Sequence, residues 1–196
     1  MKIERRLLLA LCGVNAAVLL AVWAAPRVGA QGPKPPVVAT DITAADIQAV
    51  LNYPTGGGDR LIKAVDMGSY NVGVGVLRRG PTKPGAPVNG INHERITEVY
   101  FVISGSGTLL TGGVMSDIRP SPADSEIVKV AVGPSNTGVF KEPAQRRRVS
   151  AGDIVIIPPG VFHGFDEVTT GIEYASVRPD PDHVLPAGWV HPALKK

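Results

Sequence analysis

The sequence predicts an all-β domain, an antiparallel sandwich or barrel of many short strands. Three observations point there. Glycine and proline supply 23 and 18 of the 196 residues, about a fifth of the chain, which favours frequent turns over a helical bundle. Apolar residues alternate at period two, as in Val72, Val74 and Val76 set between Gly73, Gly75 and Leu77. Turn residues also break up nearly every apolar run: Gly80-Pro81, Gly105-Ser106-Gly107, Gly112-Gly113, Gly133-Pro134, Pro158-Pro159-Gly160 and Gly171. The glycines have no period of three, which excludes a collagen-like chain, and ordinary apolar content with nearly balanced charge excludes long disorder.

Taken in order, residues 1–30 read as a secretory signal peptide. Lys2, Arg5 and Arg6 form its positive head, Leu7 to Ala25 its apolar stretch, and Val28-Gly29-Ala30 offers small residues for cleavage after Ala30. Uncleaved, the same stretch is long enough to anchor the chain in a bilayer, with Asn15 its one clearly polar residue. The expected location is therefore periplasmic or secreted, with any membrane contact confined to this segment. Residues 31–59 comprise a Pro-rich leader and one short helix. Thr43-Ala44-Ala45-Asp46 resembles a capping box ahead of Ile47, Val50 and Leu51, and Pro54 with the glycines at 56–58 ends the helix. Residues 60–178 hold the strands. Beyond Val72–Leu77 the candidates are Thr97–Ser104, Thr108–Thr111, Glu126–Val132, Val149, Asp153–Ile157, Phe162–Glu167 and Ile172–Val177. Residues 179–196 form a Pro-rich tail in which Trp189 is placed to pack back on the strands.

Net charge of +3 overstates the basicity, because the excess lies in residues 1–30 and the remaining charges balance. Nucleic-acid binding is not expected without a basic face. Arg146-Arg147-Arg148 is the one basic cluster; on a strand it splits between two faces and reads as a solvated or ion-paired edge. Cys12, the single cysteine, lies in the signal, so the processed chain has neither disulfide nor thiolate chemistry. The glycines at 56–58 lack a following Lys-Ser/Thr, His93-Glu94 lacks the second histidine of a zincin helix, and Ser106 lacks the spacing of a nucleophile elbow.

Two segments remain. One runs from Gly90 through His93 and Glu98 to Gly105, the other from Gly152 through Pro158 and Gly160 to His163. Each leaves a turn, enters a strand and sets His or Glu where the strand begins. The inner face then continues from Glu98 through Tyr100 and Val102, and from His163 through Phe165. Two imidazoles and a carboxylate converging inside a barrel would make a three-point metal site with open positions, suited to Fe, Mn, Ni or Zn. Tyr100, Val102, Phe165 and Tyr174 are expected as pocket wall, with Tyr100 able to donate a hydrogen bond. His183 and His191, in the tail, read as packed or exposed residues without a site role.

These segments resemble the two motifs of the cupin superfamily. The second matches from Gly152 to His163, including Pro158 and Gly160, with Glu167 in place of the final Asn. The first matches in its tail, where Glu98 and Gly105 are separated by six residues. Four residues separate His93 from Glu98, so His93 takes the place of the motif's second histidine and Ile91 falls where the first belongs. Asn92 or Glu94 could fill that gap only with a differently shaped turn. The resemblance implies a cupin-type jelly-roll barrel, a divalent ion on His93, Glu98 and His163, and pairing into a homodimer.

Fold does not give function. The first expectation is a metal-dependent enzyme acting on a small organic molecule, with oxygenase, isomerase, decarboxylase and hydrolase chemistry all open. The alternatives are a non-catalytic small-molecule binding protein and a metal-free acid–base enzyme using His163 or His93, as in sugar epimerases of this fold. A decayed site, with Glu98 paired to an inward arginine such as Arg78 or Arg95, is the plainer reading.

Overall fold

The structure, a computed structural model, describes residues 38–54 and 58–195. The expected signal peptide, most of the leader, and the glycines at 56 and 57 lie outside the described residues. Among the described residues no helix is long and apolar enough to cross a membrane.

The single α-helix among the described residues, α1 (Ala44–Leu51), begins as its sequence predicts. Thr43 Oγ1 accepts from the Asp46 N–H, and Asp46 accepts from the Thr43 N–H in return. At its other end Arg60 donates to the carbonyls of Leu51 and Tyr53, which the helix leaves unsatisfied. Val50 and Leu51 pack on Ile62 and Val76.

Eight strands follow: β1 (Asp59–Asp66), β2 (Asn71–Arg79), β3 (Asn89–His93), β4 (Glu98–Pro120), β5 (Ser135–Ser150), β6 (Ile154–Ile157), β7 (His163–Asp166) and β8 (Ile172–Asp180). All pairings are antiparallel. One sheet runs β1-β2-β8 and joins the first part of β4, with β6 on that strand's other side. In the second sheet the later part of β4 lies between β5 and β7, and β3 joins β5 to β7. β4 therefore belongs to both sheets and turns the corner between them. This is the expected all-β jelly-roll, with its apolar core (Leu77, Tyr100, Val102, Leu109, Val149, Val155, Ile157, Phe165, Ile172, Tyr174 among others) between the sheets.

Three local expectations are corrected. Gly105-Ser106-Gly107 and Gly112-Gly113 do not end strands; they bend β4 within its length. Gly105 has φ +75°, and a Cβ there would meet the Gly171 carbonyl, so the corner admits only glycine. The segment 126–132 is helical rather than extended: Val128–Val132 forms a π-helical turn, closed by the Gly133 N–H on the Val128 carbonyl. Its buried residues Val128, Ala131 and Val132 have the three-and-four spacing of a helix, a signal masked by the β-branched composition. Finally, β5 extends back from Val149 to Ser135, and β1 and β3 are strands that turn signals alone did not mark.

The tail docks as its Trp189 suggested. Val190 bridges to Lys63, the Ala64 N–H donates to the Trp189 carbonyl, and Trp189 packs beside Leu61 and Leu185. The arginine run lies on β5, where Arg146 pairs with Asp166 at 2.9 Å and Arg148 donates to the Glu167 carbonyl.

Candidate metal centre

β3 ends on His93 and β4 begins on Glu98, so the short connection between them sets both residues at neighbouring strand ends. β7 begins on His163, one turn after Pro158-Pro159-Gly160. That turn is fastened to β3: the Gly160 N–H donates to the His93 carbonyl, and Asn92 Nδ2 donates to the Gly160 carbonyl. Gly160 itself has φ +79°, the left-handed region glycine favours. Pairing of Glu98 with Ile157 completes the arrangement. The motif glycines and prolines thus have a mechanical purpose, which is to bring three distant residues to one place.

His93, Glu98 and His163 are all buried, and their donor atoms lie within 4.8 Å of one another. His93 Nε2 stands 3.2 Å, and His163 Nε2 3.0 Å, from the same oxygen, Glu98 Oε2. The far side of each ring fixes its orientation. His163 Nδ1 faces the Val161 carbonyl at 3.0 Å, and a carbonyl can only accept, so Nδ1 carries a proton. His93 Nδ1 faces Ser135 Oγ at 2.9 Å, whose own proton goes to the Gly133 carbonyl, so here too Nδ1 donates. In the neutral form each ring therefore aims a bare Nε2 lone pair at a carboxylate oxygen. His163 Nε2 is buried and has no hydrogen-bond partner among the described residues. Lone pairs converging in a dry interior repel unless a cation lies between them. The separations also match those of adjacent ligands about 2.1 Å from one ion, which stand about 3 Å apart. The donor set fits a divalent metal, and the histidines carry the outer partners that metal-binding imidazoles use.

Glu98 is held by more than the histidines. Tyr100 donates its hydroxyl proton to Oε2 at 2.9 Å. Oε1 accepts from Ser176 Oγ at 2.8 Å and from Arg178, whose Nη2 lies 2.9 Å away. Arg178 is fully buried and its Nη2 also meets Asp59 at 2.6 Å, while Nη1 donates to the Ala131 carbonyl. Burial alone would raise the Glu98 pKa. The Arg178 guanidinium outweighs that and holds the carboxyl well below its usual range. Burial, reinforced by the Glu98 charge, pushes the Tyr100 hydroxyl well above its usual value, so Tyr100 stays a donor.

Glu98 is therefore paired with an inward arginine, though neither Arg78 nor Arg95 supplies it; they pair outside the centre with Glu173 and Asp182. Arg178 and Ser135 are the residues that sequence reasoning missed. The signal for Arg178 was present: β8 alternates Ile172, Tyr174, Ser176, Arg178 and Asp180 on its buried face, which puts a charge on an inward position.

A cavity of about 540 Å³ opens beside the cluster, lined by His93, His163 and Tyr100 together with Arg79, Ile91 and Arg119. Of the four residues expected to wall a pocket, Tyr100 lines this cavity, while Val102, Phe165 and Tyr174 belong to the core packed beneath it. Ile91 pairs with His163 and presents an apolar side where a further ligand would stand. Asn92 and Glu94 do not fill that place. Asn92 is engaged with Gly160 and Asn136, and Glu94 is exposed and bonded to Asn136. His191 caps the Pro192–Leu194 turn and meets Tyr53 edge-on, and His183 faces Asn71; both are remote from the cluster in role.

No protein-family model and no curated protein sequence matches the chain. Among solved structures it is similar to a Bacillus halodurans protein at 13% identity and TM-score 0.44, over 81% of this chain and 93% of that one. It is also similar to a conserved protein with a double-stranded β-helix domain from Klebsiella pneumoniae, at 19% identity and TM-score 0.41, over 74% and 93% of the two chains. A third is a Cupin 2 conserved barrel domain protein from Salinispora arenicola, at 14% identity and TM-score 0.41, over 73% and 91%.

Proposed function

We propose that this chain is an exported cupin-type protein that holds one divalent metal ion through His93, Glu98 and His163 and uses it on a small organic molecule. The observation that carries the reading is the pair of imidazoles whose Nδ1 protons are committed to Ser135 and Val161, leaving two Nε2 lone pairs aimed at one Glu98 oxygen. When bound, the ion would supply a Lewis acid or a site for oxygen activation.

The chain's own groups define what surrounds it. Arg178 and Ser176 fix the Glu98 oxygen that points away from the histidines. Tyr100 holds its proton against the other oxygen and lines the cavity, where it stands beside any incoming molecule. Ile91 supplies an apolar wall that neither binds metal nor moves a proton.

Export rests on the positive head, apolar stretch and small-residue cleavage site within residues 1–30. Pairing of two copies is supported by Phe101, Ile154 and Ile156, which are 46%, 61% and 68% exposed on the outer face of β4 and on β6. Light scattering of the purified protein checks the second point, and N-terminal sequencing of the secreted chain the first.

The metal reading is tested by element-resolved mass spectrometry after anaerobic loading with Fe, Mn, Ni and Zn. Near one equivalent is expected in the native protein and a small fraction of it in His163→Ala and His93→Ala. Equal metal in native protein and both variants, or none in any, overturns the reading.

A further inference from the structure

The cavity contains an arginine that the proposed metal centre does not use. Arg79 follows Leu77 on the inward face of β2 and lines the cavity with His93, His163 and Tyr100. Its Nε donates to the Tyr174 hydroxyl at 2.7 Å, and its guanidinium carbon lies 5.7 Å from the Phe165 ring centre and 6.0 Å from that of Tyr174. Tyr174 in turn packs against Tyr100, with ring centres 4.4 Å apart. Those contacts fix the plane of the guanidinium. They leave both terminal amino groups of Arg79 without a hydrogen bond or ion pair among the described residues. Arg178, another inward arginine, has two carboxylates; Arg79 has none among the described residues.

The local charge shows what is missing. Asp59, Arg178 and Glu98 together leave a single negative charge. A divalent ion on the cluster more than offsets it, and Arg79 adds a further positive charge on the same cavity. At the rim, Arg119 and Asp117 are exposed and of opposite sign, so they cancel. A cavity with surplus positive charge and a rigid guanidinium fork, unpaired among the described residues, suits a planar anion that can accept two parallel N–H bonds. Its volume falls in the range of small-molecule sites, roughly 300–1,000 Å³.

We infer that the molecule taken by this cavity is a small organic acid whose carboxylate is held by the terminal amino groups of Arg79, beside the His93–Glu98–His163 centre. The inference deepens the function proposed above and rests on it for the choice of cavity. Arg79 is a binding residue in this account, and the apolar side chain of Ile91 faces the rest of the acid.

The test is calorimetric titration of the purified protein, metal-loaded and metal-free, with lactate, pyruvate and benzoate, each beside its neutral amide. Wild type, Arg79→Gln and Arg79→Lys are compared, with metal content and thermal midpoint measured on every sample. At least one acid is expected to bind tenfold or more tightly than its amide. Arg79→Gln should lose at least tenfold of that affinity while keeping wild-type metal content, and Arg79→Lys should retain part of it. If every acid binds no better than its amide, or Arg79→Gln binds the acids as wild type does, the inference is overturned. If Arg79→Gln fails to fold, the acid–amide comparison in wild type and the Arg79→Lys titration decide it. Arg79-dependent acid binding in protein that takes up no metal would sink the metal reading and leave the anchor standing.

Discussion

The two inward arginines of this barrel, Arg178 on β8 and Arg79 on β2, sit in contrasting surroundings. Arg178 is fully buried and its donors go to Glu98, Asp59, Ser176 and the Ala131 carbonyl. Among the described residues Arg79 makes one hydrogen bond, to the Tyr174 hydroxyl, and it opens onto a cavity. A buried guanidinium is tolerated only when its partners are in place, so Arg178 is part of the permanent structure. Arg79 is held in position by aromatic rings without being neutralised, which is the state of a group kept for an exchangeable partner. The contrast separates the floor that shapes the metal ligands from the wall that meets what arrives.

Replacing each arginine in turn should expose that difference most strongly. Arg178→Met leaves Asp59 and Glu98 facing each other in the interior without their cation, and is expected to destabilise the fold by about 3–5 kcal/mol. Arg79→Met loses one hydrogen bond to a hydroxyl and should cost about 0.5–1.5 kcal/mol. Urea denaturation of both variants measures this; equal losses would erase the distinction.

Acid sharpens the same comparison. The Glu98 pKa is depressed in the folded protein, below an ordinary value of 4.5, chiefly because Arg178 overcomes the effect of burial. Its stabilising contribution is therefore complete above the ordinary carboxyl range and is lost as pH falls through the depressed folded value. Metal-free protein should show no stability loss from this group between pH 7 and 5, and a loss below about pH 4. A fall between pH 7 and 5 that disappears in Glu98→Gln would contradict the assignment.

Ser135→Ala affects the floor more gently. It removes the acceptor that orients the His93 ring and should weaken metal binding by about 10- to 100-fold with little change in fold. Competition with a chelator reads the affinity, and an unchanged value would make Ser135 a packing residue only. The smallest effect is expected from Ile91→His, which places a further imidazole beside His163. Metal affinity should tighten by no more than about tenfold, or ~1.4 kcal/mol, because the three existing ligands already fix the ion.

How much of this was legible in the sequence differs by residue. His93, Glu98 and His163 were found because glycine and proline spacing around them is local, and local turns carry that spacing directly into the fold. Arg178, Ser135 and Arg79 were not, because their roles come from pairing between distant strands. Ser135 reaches His93 through the β3–β5 register, and Arg178 reaches Glu98 from β8, which pairs with β4 beside it. The helix start was readable from Thr43 and Asp46, whereas Glu126–Val132 was read as a strand because valine and isoleucine dominate it. The glycines of β4 were read as turns although they act as bends, since a positive φ serves either purpose.

The central claim is that both imidazoles present Nε2 to one ion. Spin-echo spectroscopy of the protein loaded with Cu(II) counts coordinated imidazoles directly, through the coupling of their remote nitrogens. Two histidines in the native protein, falling to one in His163→Ala and one in His93→Ala, is the predicted result. No coordinated imidazole in the native protein, or an unchanged count in both variants, would contradict it.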